Sequence, residues 1–258
     1  NPRILWQNNR CRNHRLRAIF ETGIDADDSF AESVFDVAER RIRRDGKNIY
    51  SYMPELTFPM ARFAGVRGKG GSFAVLGGGL HEYEAFEGGR FALTVTRAYD
   101  NKICTSGDFD LEYKPGDLSH AFGSHSYRYA LCFGDFGGDY ENVFRMADCF
   151  AAPLLVSESK ARKGGGLPMS AGFMSVDNPK VQLSCVKKAA RGNEILVRLF
   201  NPTKAAQSCA VSFPKAVAEA RLANLNEEPG KRAKSKGASV LVELGPKKIQ
   251  TILVTLKK

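Results

Sequence analysis

Alternation of apolar and polar residues with a period of two is the feature that most constrains the fold of this chain. The clearest runs are Phe91–Val95, Tyr127–Leu131, Ile195–Leu199, Val240–Leu244 and Ile252–Leu256. Such alternation places the apolar side chains on one face of a pleated strand. Glycine, proline and asparagine separate the runs, with few helical patterns between them. The sequence therefore predicts an all-β protein in which antiparallel sheets pack as sandwiches.

One segment follows a helical period instead. Between Asp139 and Leu155, apolar residues recur at steps of three and four, which predicts a single amphipathic helix. The residues that define this stripe are Val143, Ala147, Phe150, Ala151 and Leu154. Pro153 limits the end of the helix. A shorter segment, Val217–Leu222, fits either a helix or a strand.

A segment rich in glycine, Lys163–Pro168, predicts a domain boundary, because it makes a poor element interior and a good linker. We expect residues 1–168 to form a larger β unit and residues 169–258 a small terminal sandwich. No apolar run approaches the roughly 18 residues of a membrane-spanning helix, so no membrane partner is expected. The chain begins with Asn1 rather than Met, and we expect this end to be a fragment boundary.

The net charge of +10 is concentrated in the second part of the chain. Residues 160–258 contain 19 Lys and Arg against 6 Asp and Glu, whereas residues 1–159 contain 19 against 22. Lys231, Arg232, Lys234 and Lys236 lie among Pro, Gly and small residues, which predicts a hairpin tip. A solvated β surface and a site for an anionic partner both fit this cluster. Nucleic acid is the less favoured partner, because no aromatic residues are interleaved with the lysines.

Cysteine usage indicates a reducing compartment. The six cysteines are tens of residues apart and form no C-x-x-C pair, which argues against a zinc ribbon or a redox motif. They are Cys11, Cys104, Cys132, Cys149, Cys185 and Cys209. Cys132, Cys185 and Cys209 fall on alternating apolar positions and are expected to act as small core residues. The sequence thus favours a cytoplasmic location.

Two carboxylates, Glu82 and Glu84, are predicted on one face of a strand. Their Cα atoms would be about 6.7 Å apart at the usual rise of a strand. That spacing is close to the separation of the acid pair in an inverting glycosidase. A solvated strand face presents acids at the same spacing, so both interpretations stay open.

Histidines and glycines give weaker signals for a site. Asp117, His120 and His125 could form a metal site only if the intervening loop folded back to bring them together. Loop and strand-edge histidines explain the same residues, as they do for His14 and His81. The glycine clusters Gly68–Ser72 and Gly77–Gly79 match no phosphate-binding motif and are expected to be turns at sheet ends.

Arg97, Tyr99 and Asp100 place a guanidinium, a phenol and a carboxylate at the end of an apolar strand. A flat ring with bidentate hydrogen-bonding groups suits the rim of a sugar-binding pocket. A salt bridge at the end of a strand accounts for the same residues. Composition and spacing alone therefore yield a β protein in two parts, with no complete catalytic set.

Eight stretches, taken in order, resemble the C-terminal β region of glycoside hydrolase family 38, the α-mannosidase family. The stretches are Asn13–Phe20, Phe35–Val37, Gly79–Glu84, Arg90–Arg97, Tyr127–Leu131, Ala147–Leu154, Ser175–Lys187 and Val197–Pro202. Each is short, but their order extends over nearly the whole chain. The sequence departs from the family after Leu131, where members often continue with Pro-His and this chain has Cys132 and Phe133.

The resemblance implies that the catalytic residues of the parent protein belong to a different domain from this chain. In this family a metal-bearing (β/α) barrel and a helical bundle precede a supersandwich similar to galactose mutarotase, which a small sandwich follows. The zinc ligands and the aspartate nucleophile belong to the barrel, so no catalytic residue and no metal ligand can be transferred to this sequence. Zinc or another divalent metal is expected in the parent protein outside this chain. The chain's partners would be its own barrel and bundle, together with a carbohydrate substrate.

The implied parent is a retaining, metal-dependent hydrolase of α-mannosidic bonds, and this chain would be its non-catalytic scaffold. Arg97, Tyr99 and Asp100 are the candidates for residues that the scaffold lends to the substrate rim. Three alternatives remain: a free-standing carbohydrate-binding sandwich, a polyanion-binding protein that uses the basic second part, and a mutarotase-like epimerase. The epimerase would have to pair His81 with Glu82 or Glu84.

Overall fold

A computed structural model of the chain describes residues 3–8, 12, 14–42, 57–98, 120–136, 140–160, 164, 166 and 168–257. These residues belong to two compact units. The first unit contains strands β1–β10, except for the first two residues of β4, and the second contains strands β11–β19. By their contacts, Val34–Val37 and Phe136–Arg145 belong to the second unit, and Met146–Ala151 belongs to the first.

The prediction of an all-β fold with a helix is confirmed, since strands dominate the described residues and their pairings are antiparallel. The strands of the first unit are β1 Arg3–Asn8, β2 His14–Glu21, β3 Asp25–Ser33, β4 Asp36–Arg41, β5 Phe58–Pro59, β6 Phe63–Lys69, β7 Gly71–Gly78, β8 Glu82–Ala85, β9 Arg90–Ala98 and β10 Gly123–Gly134. They are followed by α1 Glu141–Ala151 and by β11 Ser175–Val176, β12 Gln182–Lys188, β13 Ile195–Phe200, β14 Gln207–Ser212, β15 Val217–Ala223, β16 Pro229–Arg232, β17 Lys234–Lys236, β18 Ser239–Leu244 and β19 Ile249–Leu256.

The first unit is a sandwich of two sheets around an aromatic core. A six-stranded sheet has the order β1-β10-β7-β6-β3-β4, and a four-stranded sheet has the order β2-β9-β8-β5. Phe73 of the larger sheet packs against Phe20 and Phe91 of the smaller one, with ring centroids 5.7 and 5.6 Å apart. Tyr83 stacks on Phe91 at 5.4 Å. All four rings lie in the core cluster that holds the two sheets together.

The glycine cluster at Gly68–Ser72 forms a turn, as predicted. Strands β6 and β7 pair as an antiparallel hairpin, with Gly68 opposite Gly71. Gly70, between them, has a φ of 104°, a conformation that residues with a Cβ rarely adopt. The cluster therefore shapes the end of a sheet.

Helix α1 is shorter than the sequence predicts. Its apolar stripe is real, because Val143, Phe144 and Ala147 are buried. The helix ends at Ala151, before the proline that was predicted to limit it, and Leu154, the last residue of the predicted stripe, lies outside the helix and is 94% exposed. Pro153 explains the early end, since proline disfavours helical backbone in the residue before it. Within the part of the chain that the structure describes, no helix has the length and apolar character required to span a membrane.

The second unit is a sandwich with an aliphatic core. A four-stranded sheet, β11-β14-β18-β17, and a five-stranded sheet, β12-β13-β19-β15-β16, share one core cluster. The alternating residues of the sequence form this core: Val197, Leu199, Val211, Val240, Val242, Ile252 and Val254 are all buried. The ambiguous segment Val217–Leu222 lies in strand β15, which pairs with β19.

Four basic residues were predicted at a hairpin tip, and the structure places them on two edge strands instead. Lys231 and Arg232 lie on β16, at the edge of the five-stranded sheet, and Lys234 and Lys236 lie on β17, at the edge of the four-stranded sheet. All residues of β16 and β17 are exposed. Basic side chains on edge strands discourage pairing with other chains. The local sequence shows only turn-forming residues in this segment. It does not show that β16 and β17, which are separated by a single residue, pair with different sheets.

The boundary between residues 168 and 169 stays a prediction. The second unit includes the continuous segment Ala152–Lys258, which extends across that position. Residues 161–163, 165 and 167 of the glycine-rich linker lie outside the described residues.

Asn201 connects chain segments from both sheets of the second unit. Its side chain is fully buried and donates hydrogen bonds to the carbonyls of Ala205 and Gly245, at 2.7 and 2.9 Å. Its carbonyl oxygen accepts hydrogen bonds from the backbone N–H and the hydroxyl of Thr203. Asn201 follows β13 of one sheet, and Gly245 follows β18 of the other. The amide thus fixes the turn that begins at Asn201 and Pro202.

We predict that Asn201→Ala lowers the free energy of unfolding of the second unit by about 3 kcal/mol, because it leaves several buried polar groups without partners. Urea unfolding, monitored by far-UV circular dichroism, measures this change in the free energy of unfolding. Asn193→Ala is the matched control, since Asn193 is an exposed turn residue of the same unit. Equal stability of the two variants would show that the buried amide contributes nothing.

Candidate functional site

The outer polar groups of the four-stranded sheet in the first unit form an arginine–glutamate ladder. We define this ladder as Arg15, Arg17, Glu82, Glu84, Thr94 and Arg97. Strand β9 lies between β2, which carries Arg15 and Arg17, and β8, which carries Glu82 and Glu84. Arg15 and Arg17 are therefore two strands away from the carboxylates, a distance of roughly 9–10 Å between backbones. A long guanidinium side chain can extend across that gap.

Glu82 accepts hydrogen bonds from three residues of the ladder. Its Oε1 accepts hydrogen bonds from Arg15 and from the Thr94 hydroxyl, both at 2.7 Å, and its Oε2 accepts one from Arg97 at 2.9 Å. Burial by itself would raise the pKa of Glu82, but the hydrogen bond from Thr94 and the charges of Arg15 and Arg97 outweigh it, and the pKa lies below its usual value. Glu82 is therefore held in its ionised form.

Glu84 also has an arginine partner. Its carboxylate is 7% exposed and accepts a hydrogen bond from Arg17 at 2.6 Å. The guanidinium of Arg17 also lies 5.4 Å from the ring centroid of Phe86, and Arg90 lies over the same ring at 4.5 Å. A general acid needs a raised pKa and a free path to its substrate. The ladder gives its carboxylates fixed arginine partners, which is the arrangement of a structural network.

Of the three predicted rim residues, only Arg97 lies among the described residues. Its side chain is 57% exposed, and it contacts Glu82 near the end of β9. Arg97 lies directly opposite Arg15 in the strand pairing, so Glu82 compensates two adjacent like charges. Tyr99 and Asp100 lie outside the described residues. Their place at a substrate rim stays a prediction.

The histidines occupy separate positions. His120 is buried, and its ring centroid lies 5.4 Å from that of Phe122. His125 shares a 2.9 Å hydrogen bond with the carbonyl of Ala121 and stacks on Tyr127. Asp117 lies outside the described residues. Among the residues that are described, no group of three His, Cys, Asp or Glu side chains has the arrangement needed to hold a metal ion.

His81 does not pair with either of the glutamates that an epimerase would need. Its Nδ1 lies 3.2 and 3.1 Å from the carbonyls of Met60 and Ala61. His14 and Trp6 form a second, partly buried pair, with ring centroids 6.2 Å apart. Neither set of contacts brings a carboxylate to an imidazole.

The cysteines of the described residues are free thiols. Cys209 is a buried core residue, as predicted, and burial raises the pKa of its thiol to about 11, with a further contribution from the charge of Asp177. Cys132 and Cys185 are only half-buried, and Cys149 is exposed. A thiol with a raised pKa is a poor nucleophile.

Sequence reasoning identified Glu82 and Glu84 but missed Arg15 and Arg17. The missed signal is the spacing itself: two arginines two residues apart match two glutamates two residues apart. If the two strands belong to one sheet and these side chains lie on the same face of it, the pattern predicts two ion pairs side by side. The sequence does not show that β9 separates the two strands.

We predict that Glu82→Gln lowers the free energy of unfolding at neutral pH by about 1–3 kcal/mol, because Arg15 and Arg97 lose the carboxylate between them. The folded-state pKa of Glu82 is depressed, so its contribution is present above the ordinary glutamate pKa and is lost as the pH falls through the folded-state value. The difference between wild type and variant should therefore shrink in acid. Urea titrations across acidic and neutral pH measure it.

Glu21→Gln is the matched control for this prediction, since Glu21 is an exposed acid at the end of β2 in the same sheet. We expect the control to have nearly wild-type stability at every pH. A Glu82→Gln variant that keeps wild-type stability at neutral pH would contradict the role of the ladder.

Residues 180–252 match the family model described as the glycosyl hydrolases family 38 C-terminal beta sandwich domain. A comparison with curated proteins finds no match.

Two solved structures share the fold over almost the whole chain. An alpha-mannosidase from Enterococcus faecalis V583 aligns with 95% of this chain at a TM-score of 0.75 and 22% identity. A protein in glycosyl hydrolase family 38, also from Enterococcus faecalis, aligns with 96% at a TM-score of 0.73 and 22% identity. This chain spans 26% and 27% of their respective lengths. The chain thus has the fold of about a quarter of these structures, and the match over residues 180–252 confirms its resemblance to the C-terminal β-sandwich region of glycoside hydrolase family 38.

Proposed function

We propose that this chain is the non-catalytic C-terminal scaffold region of a glycoside hydrolase that resembles the family 38 α-mannosidases. The proposal rests on one observation, which is that the structural alignment covers nearly all of this chain but only a small share of the other protein. Nearly all of this chain, 95%, aligns with only 26% of an alpha-mannosidase. A region of that extent leaves three-quarters of such a protein to supply a catalytic site.

The two sandwiches are suited to a supporting role. Each has its own buried core, with aromatic rings in the first unit and aliphatic side chains in the second. Close-packed interiors of this kind resist deformation and hold their outer surfaces in place. The arginine–glutamate ladder adds fixed polar contacts across three strands. These features favour a rigid interior in each unit over a surface that rearranges around a reacting substrate.

The chemistry of the parent protein belongs to the proposal as well. The resemblance implies retaining hydrolysis of α-mannosidic bonds, with a divalent metal such as zinc and a carboxylate nucleophile supplied by a barrel outside this chain. The partners proposed for this chain are that barrel, a helical bundle and the carbohydrate substrate. The cytoplasmic location indicated by the cysteines is part of the same proposal.

Arg97 is the described residue that we propose for the substrate rim. Its guanidinium is more than half exposed and engages Glu82 through one of its nitrogens, Nη1. A guanidinium has five N–H donors, so others remain for sugar hydroxyls. Tyr99 and Asp100, the other proposed rim residues, follow directly in the sequence.

We predict that the purified chain, supplied with zinc, shows no turnover of an aryl α-mannoside. The ladder carboxylates are bound to arginines, and the proposed nucleophile and metal ligands belong to another part of the parent. The assay measures release of the aryl alcohol, with the Enterococcus faecalis alpha-mannosidase as the positive control. Circular dichroism confirms that the assayed chain is folded.

Turnover that requires a metal and disappears with a chelator would contradict this proposal. Calorimetry with methyl α-mannopyranoside tests the alternative of a free-standing carbohydrate-binding sandwich. Saturable binding that Arg97→Ala abolishes, together with a native polypeptide of only this length, would favour that alternative.

A further inference from the structure

A basic surface follows one edge of the sandwich in the second unit. We call this surface the basic edge and define it by seven exposed residues, which come from four segments of the chain. They are Lys215, Arg221, Lys231, Arg232, Lys234, Lys236 and Lys257. Two carboxylates, Glu219 and Glu243, lie among these seven cations, so the basic edge has a net charge of +5. A surface with one dominant sign of charge raises the local concentration of oppositely charged ligands.

The edge strands β16 and β17 position four of these side chains. Ala233, the single residue between the two strands, packs against the core, and its N–H donates a hydrogen bond to a carbonyl of β15 at 2.9 Å. Arg232 pairs with β15 of one sheet, whereas Lys234 and Lys236 pair with β18 of the other. The segment 231–236 therefore crosses from sheet to sheet and spreads its basic side chains around the edge, over about 16 Å at the usual rise of a strand.

Backbone hydrogen bonds bring two further lysines to the same end of the edge. The first N–H of β15 donates to the carbonyl of the residue after Lys236, at 2.9 Å. The N–H of Lys257 donates to the carbonyl of the residue after Lys215, at 2.8 Å. Lys215, Lys236 and Lys257 thus lie on adjacent backbone segments, although they are distant in the sequence.

Most of the positive charge of the basic edge has no ion-pair partner in the part of the chain that the structure describes. Glu219 pairs with Arg221 at 2.8 Å, and Glu243 pairs with Lys234 at 3.6 Å. The other five cations form no ion pair with a described residue. Arg232 lies directly opposite Arg221 in the strand pairing, and like charges placed in this way repel each other. An anion that contacts both strands would relieve this repulsion.

The composition of this part of the chain limits the kind of partner that the basic edge can bind. Residues 214–258 contain no Phe, Tyr, Trp or His, and Phe213, the nearest aromatic residue in the sequence, is buried. Single-stranded nucleic acids bind through stacking of their bases on aromatic side chains, and a sugar ring gains from the same flat apolar surface. The basic edge offers no such surface, so its partner must be recognised through charge.

The shape of the basic edge narrows the choice further. Strands β16 and β17 contain four and three residues and belong to different sheets. They are too short for an acidic peptide to add as a strand, and they do not form a two-stranded ribbon that could enter a DNA groove. A planar membrane or a rigid double helix would reach only some of the side chains that spread around the edge. A flexible linear anion can follow all of them.

We propose that the basic edge binds linear polyphosphate. This polymer carries closely spaced negative charges along a flexible chain and has no rings that require stacking. The basic side chains would donate charge-assisted hydrogen bonds to its phosphate oxygens, with Arg221 and Arg232 on one side of the edge and Lys234 and Lys236 on the other. This inference does not depend on the proposed function of the parent protein.

Titration of the ¹⁵N-labelled chain with medium-chain sodium polyphosphate, in metal-free buffer at constant ionic strength, tests the proposal. We expect saturable shifts of the backbone amides of Arg232, Lys234 and Lys236. Binding should weaken as the sodium chloride concentration is raised, because association releases the counterions of the polyanion. Orthophosphate should cause no saturable shifts, since a single phosphate contacts only a small part of the edge and gains nothing from linked sites.

Two triple variants with the same change in net charge separate the basic edge from general electrostatic attraction. The first neutralises three cations of the edge: Lys231→Gln, Arg232→Gln and Lys236→Gln. The matched control neutralises three exposed cations of the same unit outside the edge: Lys188→Gln, Arg191→Gln and Lys248→Gln. The first variant should weaken binding by about tenfold or more, and the control should bind within about twofold of the wild type. Circular dichroism confirms that both variants are folded.

The proposal is overturned if polyphosphate causes no saturable shifts, if orthophosphate binds equally well, or if the control variant loses as much affinity as the first variant. It is also overturned if another polyanion binds more tightly than polyphosphate at the same ionic strength. The polyanions to compare are duplex DNA, a heparin octasaccharide, polyglutamate and phosphatidylserine vesicles. Tighter binding of one of these would assign the basic edge to that class of partner.

Discussion

Burial of one face of each sheet is the constraint on which the rest of this structure depends. A strand places alternate side chains on opposite faces, so a sheet with one apolar face must find a second apolar face to cover it. Val197, Val242 and Val254 meet this requirement in the second unit, and Phe73, Tyr83 and Phe91 meet it in the first. The polar residues left on the outer faces then pair with one another, as they do in the arginine–glutamate ladder.

Period-two alternation predicted most of the fold because it is a local property of the chain. It located the core strands, and the helical stripe located α1 through Val143 and Ala147. Local patterns failed where the structure depends on distant pairing. The basic residues 231–236 read as a turn, yet they form two edge strands that join different sheets. Leu154 fitted the helical stripe, but Pro153 ends the helix before it.

The candidate site was only partly visible in the sequence for the same reason. Glu82 and Glu84 were identified as a pair on one face, but their arginine partners lie 67 residues away along the chain. Their contact depends on the order β2-β9-β8, which no local signal encodes. Register between strands, more than residue type, decides which polar groups meet.

Two independently packed sandwiches and an arginine-bound carboxylate ladder support the proposal that this chain is a supporting region of a larger hydrolase. The most direct measurement is the mass of the native polypeptide, detected with antibodies raised against this chain. The account predicts a band roughly four times the 28.3 kDa of this sequence, because the chain spans 26% of an alpha-mannosidase. A native band of 28.3 kDa, with nothing larger, would contradict it.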